Sequence, residues 1–111
     1  MTEGLAGQRC EACNASTPRL EKAAIAERRG ELDPAWDVVD ASSLRRDFRF
    51  ETFRAAFSRA TAIALLAEEQ GHHPDLEIGW GRLRVLLTTH SIGGLSHNDF
   101  VMAAKIDHLN D

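Results

Sequence analysis

The chain has 111 residues, of which 43% are hydrophobic and 27% are charged, and its formal net charge at pH 7 is −4. This length and composition are typical of one globular domain with a modest core. The negative net charge argues against a general nucleic-acid-binding protein, which needs a basic excess to neutralise phosphates.

The sequence contains no apolar run near the roughly 20 residues of a membrane-spanning helix. Its first ten residues, MTEGLAGQRC, lack the charged-then-apolar order of a signal peptide. We therefore expect a cytoplasmic protein in a reducing compartment, with no membrane partner. In that compartment Cys10 and Cys13 are expected to be thiols rather than a disulfide.

The first 16 residues carry Gly, Ser, Asn and both cysteines without an apolar period, which predicts a flexible N-terminal arm. Residues 17–111 are predicted to form the single folded domain. Within it, Thr17 and Pro18 predict the start of a first helix, because proline is favoured at the first helical position. This helix is expected to run to about Arg29 and to end at Gly30.

Two strands are predicted next, at residues 36–39 and 44–50, with a turn at 40–43. The second strand has period two, with Leu44, Phe48 and Phe50 on one side. The period then changes to three and four residues, which predicts an amphipathic helix over residues 51–70 that closes at Gly71. Its apolar positions are Phe53, Ala56, Phe57, Ala60, Ile63, Ala64 and Ala67.

Residues 76–78 and 83–90 predict two further strands, joined by a turn or bulge at 79–82. A Gly-Gly loop at 91–95 leads to a last helix that Ser96 caps and that reaches about Leu109. The order helix, two strands, helix, two strands, helix predicts an α+β fold of the αββαββα type. Its four-stranded sheet is expected to be mostly antiparallel, with three helices packed on one face.

Three of the five histidines lie at the ends of predicted elements. His72 and His73 directly follow the long helix, and His90 ends the last strand. Imidazole is the side chain best suited to proton transfer near neutral pH. If the strand after His73 lies beside the strand that ends at His90, the three rings can meet at one rim of the sheet. Such a cluster indicates acid–base chemistry on a small molecule. In contrast, His97 and His108 are expected to be isolated surface residues.

Zinc is the alternative use of three imidazoles, with water as the fourth ligand. However, helical i, i+4 spacing is missing, and adjacent histidines fit poorly around one tetrahedral ion, so we predict no metal here. The pair Cys10-x2-Cys13 is half of a zinc site, a redox pair, or without function. One chain has no further cysteines to complete a four-ligand site, although two chains could share an ion.

The pattern Glu68-x3-His72-His73-Pro74-x5-Trp80-x9-His90-x8-Asp99 resembles the signature of the pterin-4a-carbinolamine dehydratases, also called 4a-hydroxytetrahydrobiopterin dehydratases. The flanking sequences LAEEQGHHPD, TTHSIGGLS and DFVMAAKID agree with it. The resemblance covers residues 34–109 well and the N-terminal arm poorly. Several fixed positions at fixed gaps make this signal far more specific than a lone pair of histidines.

The resemblance implies the αββαββα fold, a dimer or tetramer, and dehydration of a 4a-hydroxytetrahydropterin to quinonoid dihydropterin. This reaction recycles the pterin used by aromatic amino acid hydroxylases and requires no redox cofactor or metal. The implied catalytic residues are His72, His73 and His90. The implied substrate-binding residues are His72, His73, Pro74, Thr89, His90, Ser91 and Ile92.

The chemistry requires one acid and one base near neutral pH. We expect His72 and His90 to flank the departing hydroxyl group as these acid–base groups. His73 is expected to hold the pterin ring or the same hydroxyl.

Three further residues of the pattern are expected to support the site. Asp99 follows Ser96 by three residues, as in a capping box, and the resemblance also places it near the active site. Glu68 lies at a helix C-terminus, which disfavours negative charge, so a histidine partner or a solvated position is expected. Trp80 is either a plate for the pterin or a hairpin aromatic packed on a neighbouring strand.

A non-catalytic role is the alternative to catalysis. In the family that this chain resembles, some proteins act as dimerisation cofactors of transcription factors, and some divergent ones assist the assembly of other proteins. Such relatives often lack histidines, whereas this chain has all three, which favours an enzyme.

Overall fold

In the part of the chain that the structure describes, three α-helices and four β-strands follow one another in the order that the hydrophobic periods predict. The computed structural model describes residues 4–11 and 16–109. The helices are α1 (Lys22–Arg29), α2 (Phe53–Gln70) and α3 (His97–Asp107). The strands are β1 (Asp37–Val39), β2 (Ser43–Arg49), β3 (Asp75–Gly79) and β4 (Arg82–Leu87). Single 3₁₀ turns lie at Leu5–Gly7 and His90–Ile92.

The four strands form one sheet in the order β1-β2-β4-β3, and every neighbouring pair is antiparallel. The predicted α+β fold and antiparallel sheet are therefore confirmed. β3 pairs with β4 from Asp75 opposite Leu86 to Gly79 opposite Arg82. The residues just before β3 and just after β4 consequently leave the sheet at the same end.

The core lies on one face of the sheet, against α2 and α3. Period two places Leu44 of β2 and Leu83, Val85 and Leu87 of β4 on this face, where all four are fully buried. Ile25 of α1 belongs to the same core. Almost the whole of α3 is buried, which a 3.6-residue period with one apolar side does not predict. No helix in the described part of the chain is long and apolar enough to cross a bilayer.

The long helix α2 is closed at both ends by local sequence. The Thr52 side chain accepts a hydrogen bond from the Ala55 amide at 3.0 Å, as an N-cap residue does. At the other end Gly71 adopts the left-handed conformation, with φ of 68°. This C-cap turns the chain off the helix immediately before His72, so the position of His72 depends on the end of α2.

Two predicted element boundaries are wrong. α1 begins at Lys22 rather than at Thr17, because the Leu20 amide donates to the Leu95 carbonyl at 2.8 Å and holds this stretch outside the helix. β4 ends at Leu87 rather than at residue 90. Beyond it, the Thr89 amide donates to the Gly94 carbonyl at 2.9 Å, and this contact closes the loop that contains the second 3₁₀ turn.

Candidate active site

A buried carboxylate joins the segments that carry the predicted site. Asp99, fully buried in the first turn of α3, accepts from His72 Nε2 at 2.7 Å through Oδ1. Its Oδ2 accepts from the Thr89 hydroxyl at 2.8 Å and from the Ser96 amide at 2.9 Å. Because a carboxylate can only accept, His72 carries its hydrogen on Nε2, and Nδ1 is the nitrogen left for other chemistry.

The hydroxyl groups around Asp99 form a directed chain. Thr89 Oγ1 and Ser96 Oγ lie 2.7 Å apart and both residues are buried. Since Thr89 donates its only hydroxyl hydrogen to Asp99, the Ser96 hydroxyl donates to Thr89. The bond from the Ser96 amide to Asp99 is the bond that the predicted capping box requires of Asp99. Asp99 also contacts His72, so both roles considered for it from the sequence are present.

A second pair of histidine and carboxylate lies on the exposed side. His73 Nε2 is 2.5 Å from Oε2 of Glu68, in the last turn of α2. Both side chains are exposed, with 58% and 75% of their surface accessible. Glu68 thus has a histidine partner at a helix end where its charge alone is unfavourable. His73, like His72, uses Nε2 for a carboxylate and leaves Nδ1 available.

His90 directly follows Thr89 and opens the 3₁₀ turn His90–Ile92. Because Thr89 and His72 bind the same carboxylate, the turn containing His90 lies at the same end of the β3–β4 hairpin as the His72–His73 segment. His90 and Ser91 are exposed, and Pro74 and Ile92 are half-buried. The structure therefore places these predicted site residues on neighbouring segments.

Thr89 differs from these neighbours because its polar groups are used within the protein. Its hydroxyl bonds to Asp99 and Ser96, and its amide and carbonyl both pair with Gly94. Thr89 therefore supports Asp99 in this structure. Direct contact between Thr89 and a substrate stays a prediction.

Trp80 lies at the opposite end of the hairpin from the histidines. It occupies the two-residue turn between Gly79 and Arg82, and 76% of its surface is exposed. The whole length of β3 separates it from the His72 segment. Within one chain Trp80 is thus neither beside Asp99 nor packed on a neighbouring strand, and a role in substrate binding stays a prediction.

His97 is not the isolated surface residue predicted from the sequence. It is half-buried, its Nδ1 accepts from Arg28 Nε at 2.9 Å, and its Nε2 donates to Gln8 Oε1 at 2.6 Å. Burial, and then the charge of Arg28, lower the pKa of His97 below its ordinary value of 6.5. These partners lie 69 and 89 positions away, so no local sequence signal reveals them.

Residues 4–11 and 16–109 contain no group of three or more His, Cys, Asp or Glu side chains arranged to hold a metal ion. Cys13 lies outside the described residues, so the three interpretations of the cysteine pair stay predictions. Cys10 is half-buried, with Sγ 3.7 Å from the Asn98 carbonyl oxygen.

The chain is similar to known proteins of one family. The family model described as Pterin 4 alpha carbinolamine dehydratase matches residues 18–109. A relative from Rubrobacter xylanophilus, provisionally named pterin-4-alpha-carbinolamine dehydratase, is 47% identical over 95% of this chain and 97% of its own. A relative from Alkaliphilus metalliredigens with the same provisional name is 42% identical over 93% of each chain.

A solved structure shares the fold. The crystal structure of a transcriptional coactivator/pterin dehydratase from Brucella melitensis has a TM-score of 0.74 and 36% sequence identity to this chain. The match covers 80% of this chain and 95% of that one. The family predicted from the histidine pattern is thus confirmed, together with its enzyme class. This chain belongs to the pterin 4 alpha carbinolamine dehydratase family of hydro-lyases.

Proposed function

We propose that this protein dehydrates a 4a-hydroxytetrahydropterin, such as 4a-hydroxytetrahydrobiopterin, to quinonoid dihydropterin during recycling of the pterin. The observation that carries the proposal is the Asp99 carboxylate, which binds both His72 and Thr89. This contact brings the His72–His73 segment and the His90 turn to one end of the hairpin. Membership of the dehydratase family supports the same activity.

The reaction breaks the bond between C4a and the hydroxyl oxygen. The oxygen takes a proton and leaves as water, because hydroxide is a poor leaving group. The N5 lone pair forms the new double bond to C4a, and the N5 proton passes to a base. One imidazolium and one imidazole therefore suffice, and each is expected to contribute about 10²–10⁴-fold to the rate. The substrate supplies its own electron pair, so the proposed reaction uses no redox cofactor or metal.

We assign acid and base to His72 and His90. The bond from His72 Nε2 to Asp99 orients the ring and fixes its tautomer, which leaves Nδ1 as the nitrogen for proton transfer. His90 acts from the neighbouring exposed turn. His73, oriented by Glu68, holds the pterin ring or the departing hydroxyl through its own Nδ1. Pro74, Ser91 and Ile92 contact the ring from the same two segments.

A continuous assay of 4a-hydroxytetrahydropterin dehydration tests the proposal. We expect H72A and H90A each to lower kcat by about 10²–10⁴-fold. The control is D47N, which changes an exposed carboxylate paired with Arg84 on the sheet face opposite the helices. D47N should retain the wild-type kcat. Dehydration by the H72A/H90A double variant at the wild-type rate would overturn the proposal.

A non-catalytic role as an assembly protein or transcriptional dimerisation cofactor is the alternative. The similar protein from Brucella melitensis is described as a transcriptional coactivator as well as a pterin dehydratase. The two histidine–carboxylate pairs favour catalysis, because a scaffold does not need oriented imidazoles. The expected cytoplasmic location also stays part of the proposal.

We also propose that the protein is a homo-oligomer, a dimer or tetramer, which assembles through the exposed side of α2. Phe53, Phe57 and Leu65 lie at multiples of four residues and therefore form one ridge along the helix. Their exposed fractions are 49%, 55% and 67%. Exposed apolar ridges of this kind mark interfaces, and a second copy of the chain offers the same ridge across a twofold axis.

A further inference from the structure

The backbone of the N-terminal segment, residues 4–11, connects the end of α2 with the start of α3. The Cys10 amide donates to Gln70 Oε1 at 3.0 Å. The next amide, of Glu11, donates to Asn98 Oδ1 at 2.9 Å, and Asn98 Nδ2 donates back to the Glu11 carbonyl at 2.6 Å. Two consecutive residues of the segment therefore bind one side chain from each helix.

Gln70 and Asn98 are close in sequence to His72 and Asp99, which form the buried pair. Gln70 is the last residue of α2 and is separated from His72 only by Gly71. Asn98 immediately precedes Asp99 and is itself only 4% exposed. The bond between His72 and Asp99 spans the same two helix ends. The N-terminal segment thus connects the end of α2 with the start of α3, as the bond between His72 and Asp99 also does.

The rest of the segment is anchored independently of this connection. Leu5 is 4% exposed and belongs to the core. The Ala6 carbonyl accepts from Lys105 Nζ at 2.9 Å, and Gln8 Oε1 accepts from His97 Nε2 at 2.6 Å. Because Leu5, Ala6 and Gln8 are each held, the backbone of Cys10 and Glu11 is a fixed partner for the two helix ends.

We propose that Gln70 and Asn98 are positioning residues, which act through the N-terminal segment to hold His72 against Asp99. This inference rests on the proposed dehydratase function. Neither side chain needs to contact the pterin. Their effect is on the separation and angle between the end of α2 and the start of α3. A small displacement of a catalytic group costs about tenfold to a hundredfold in rate.

The test uses the full chain with Q70A and N98A, which remove the bonds to Cys10 and Glu11. Each variant should lower kcat by about tenfold or more while KM changes little. The NMR signal of the His72 Nε2 hydrogen, which reports its bond to Asp99, should shift or broaden in both. Q70E keeps an acceptor for the Cys10 amide and should restore the wild-type kcat and signal. The control, K105A, removes one anchor of the segment while Leu5 and Gln8 still hold it, and should change neither.

Wild-type kcat and an unchanged His72 signal in both Q70A and N98A would overturn the inference. A loss of thermal stability with unchanged kcat at room temperature would equally overturn it, because it would show a structural role alone. If the wild-type protein does not dehydrate the pterin, the proposed function fails. The His72 signal then decides the inference by itself, since a shift supports positioning and an unchanged signal refutes it.

Discussion

At the scale of single residues, the site is built around a buried charge whose bonds are all supplied by the protein. Asp99 is fully buried and accepts from an imidazole, a hydroxyl and a backbone amide. Burial of an unpaired carboxylate is very costly, so these three donors make the position tolerable. The first turn of α3 adds a favourable helix dipole. The same bonds leave Asp99 no freedom, which makes it a rigid support for His72.

The role of Asp99 as a support predicts the effect of D99N. An amide in this position can donate to His72 Nε2, which would move the imidazole hydrogen to Nδ1 and reverse the working tautomer. We expect kcat to fall by about 10²–10⁴-fold with the fold retained. Steady-state kinetics, thermal unfolding and the NMR tautomer signals of His72 measure these effects. A D99N variant with wild-type kcat would show that the tautomer of His72 is irrelevant.

His97 predicts a pH dependence of stability. Its folded pKa is lowered, first by burial and then by Arg28, while Glu31 acts in the opposite direction. At pH values above 6.5 the neutral ring is free to accept from Arg28 in the folded state, and the unfolded ring is also neutral. As the pH falls through 6.5 towards the lowered folded pKa, the unfolded chain takes a proton that the folded chain resists. Stability is therefore lost on the acidic side.

H97Q removes this titration while an amide can still accept from Arg28 and donate to Gln8. The difference in unfolding free energy between wild type and H97Q should decrease from about pH 7.5 to about pH 5.5. Urea unfolding at both pH values measures it, and the carboxylates common to both proteins cancel in the difference. A difference that does not change with pH would contradict the prediction.

At the scale of elements, two glycines with similar backbone angles have different surroundings. Gly71 ends α2 with φ of 68°, and Gly81 forms the β3–β4 turn with φ of 67°. A Cβ added to Gly71 would meet nothing within 4 Å, whereas one on Gly81 would lie 2.7 Å from the Phe50 carbonyl oxygen. This close approach exists because the Phe50 amide donates to the Gly81 carbonyl at 2.8 Å. The hairpin tip is thereby bonded to the end of β2.

This difference predicts unequal costs for two identical substitutions. G71A should cost about 1 kcal/mol, because it adds only the strain of a left-handed alanine. G81A should cost at least about 1 kcal/mol more, because its methyl group also overlaps a backbone oxygen. Urea unfolding of both variants gives the comparison, with G71A as the matched control. Equal costs would show that the hairpin tip moves freely away from Phe50.

At the scale of the whole molecule, the sheet has helices on one face and a charged surface on the other. Arg84 of β4 pairs with Asp47 of β2 on that open face, with its Nε 2.8 Å from Oδ1. Exposed pairs of this kind contribute little to stability. The apolar ridge on α2 is instead the surface that assembly would bury. Assembly is therefore expected to depend on the helix layer and not on the charged face.

The assembly proposal predicts a change of mass with F57E. The wild-type protein should sediment as a dimer or larger species at micromolar concentration, and F57E should shift it to a monomer. Val38 on β1 offers the control, because it is an exposed apolar residue off the ridge, and V38E should leave the mass unchanged. Analytical ultracentrifugation measures all three proteins. A monomeric wild type, or an F57E variant with wild-type mass, would contradict the proposal.

Local patterns in the sequence determined the order of elements, since period two, period 3.6 and the C-cap at Gly71 depend on neighbouring residues alone. The fixed spacing of the histidine pattern also indicated the family, because residue types and their spacing are read directly from the sequence. Only the tertiary structure decided which side chains meet. The contacts of Asp99 with His72, of His97 with Arg28 and of Asn98 with Glu11 join residues 27, 69 and 87 positions apart. The physical reason is that such contacts follow from how the helices pack on the sheet, which no local period encodes.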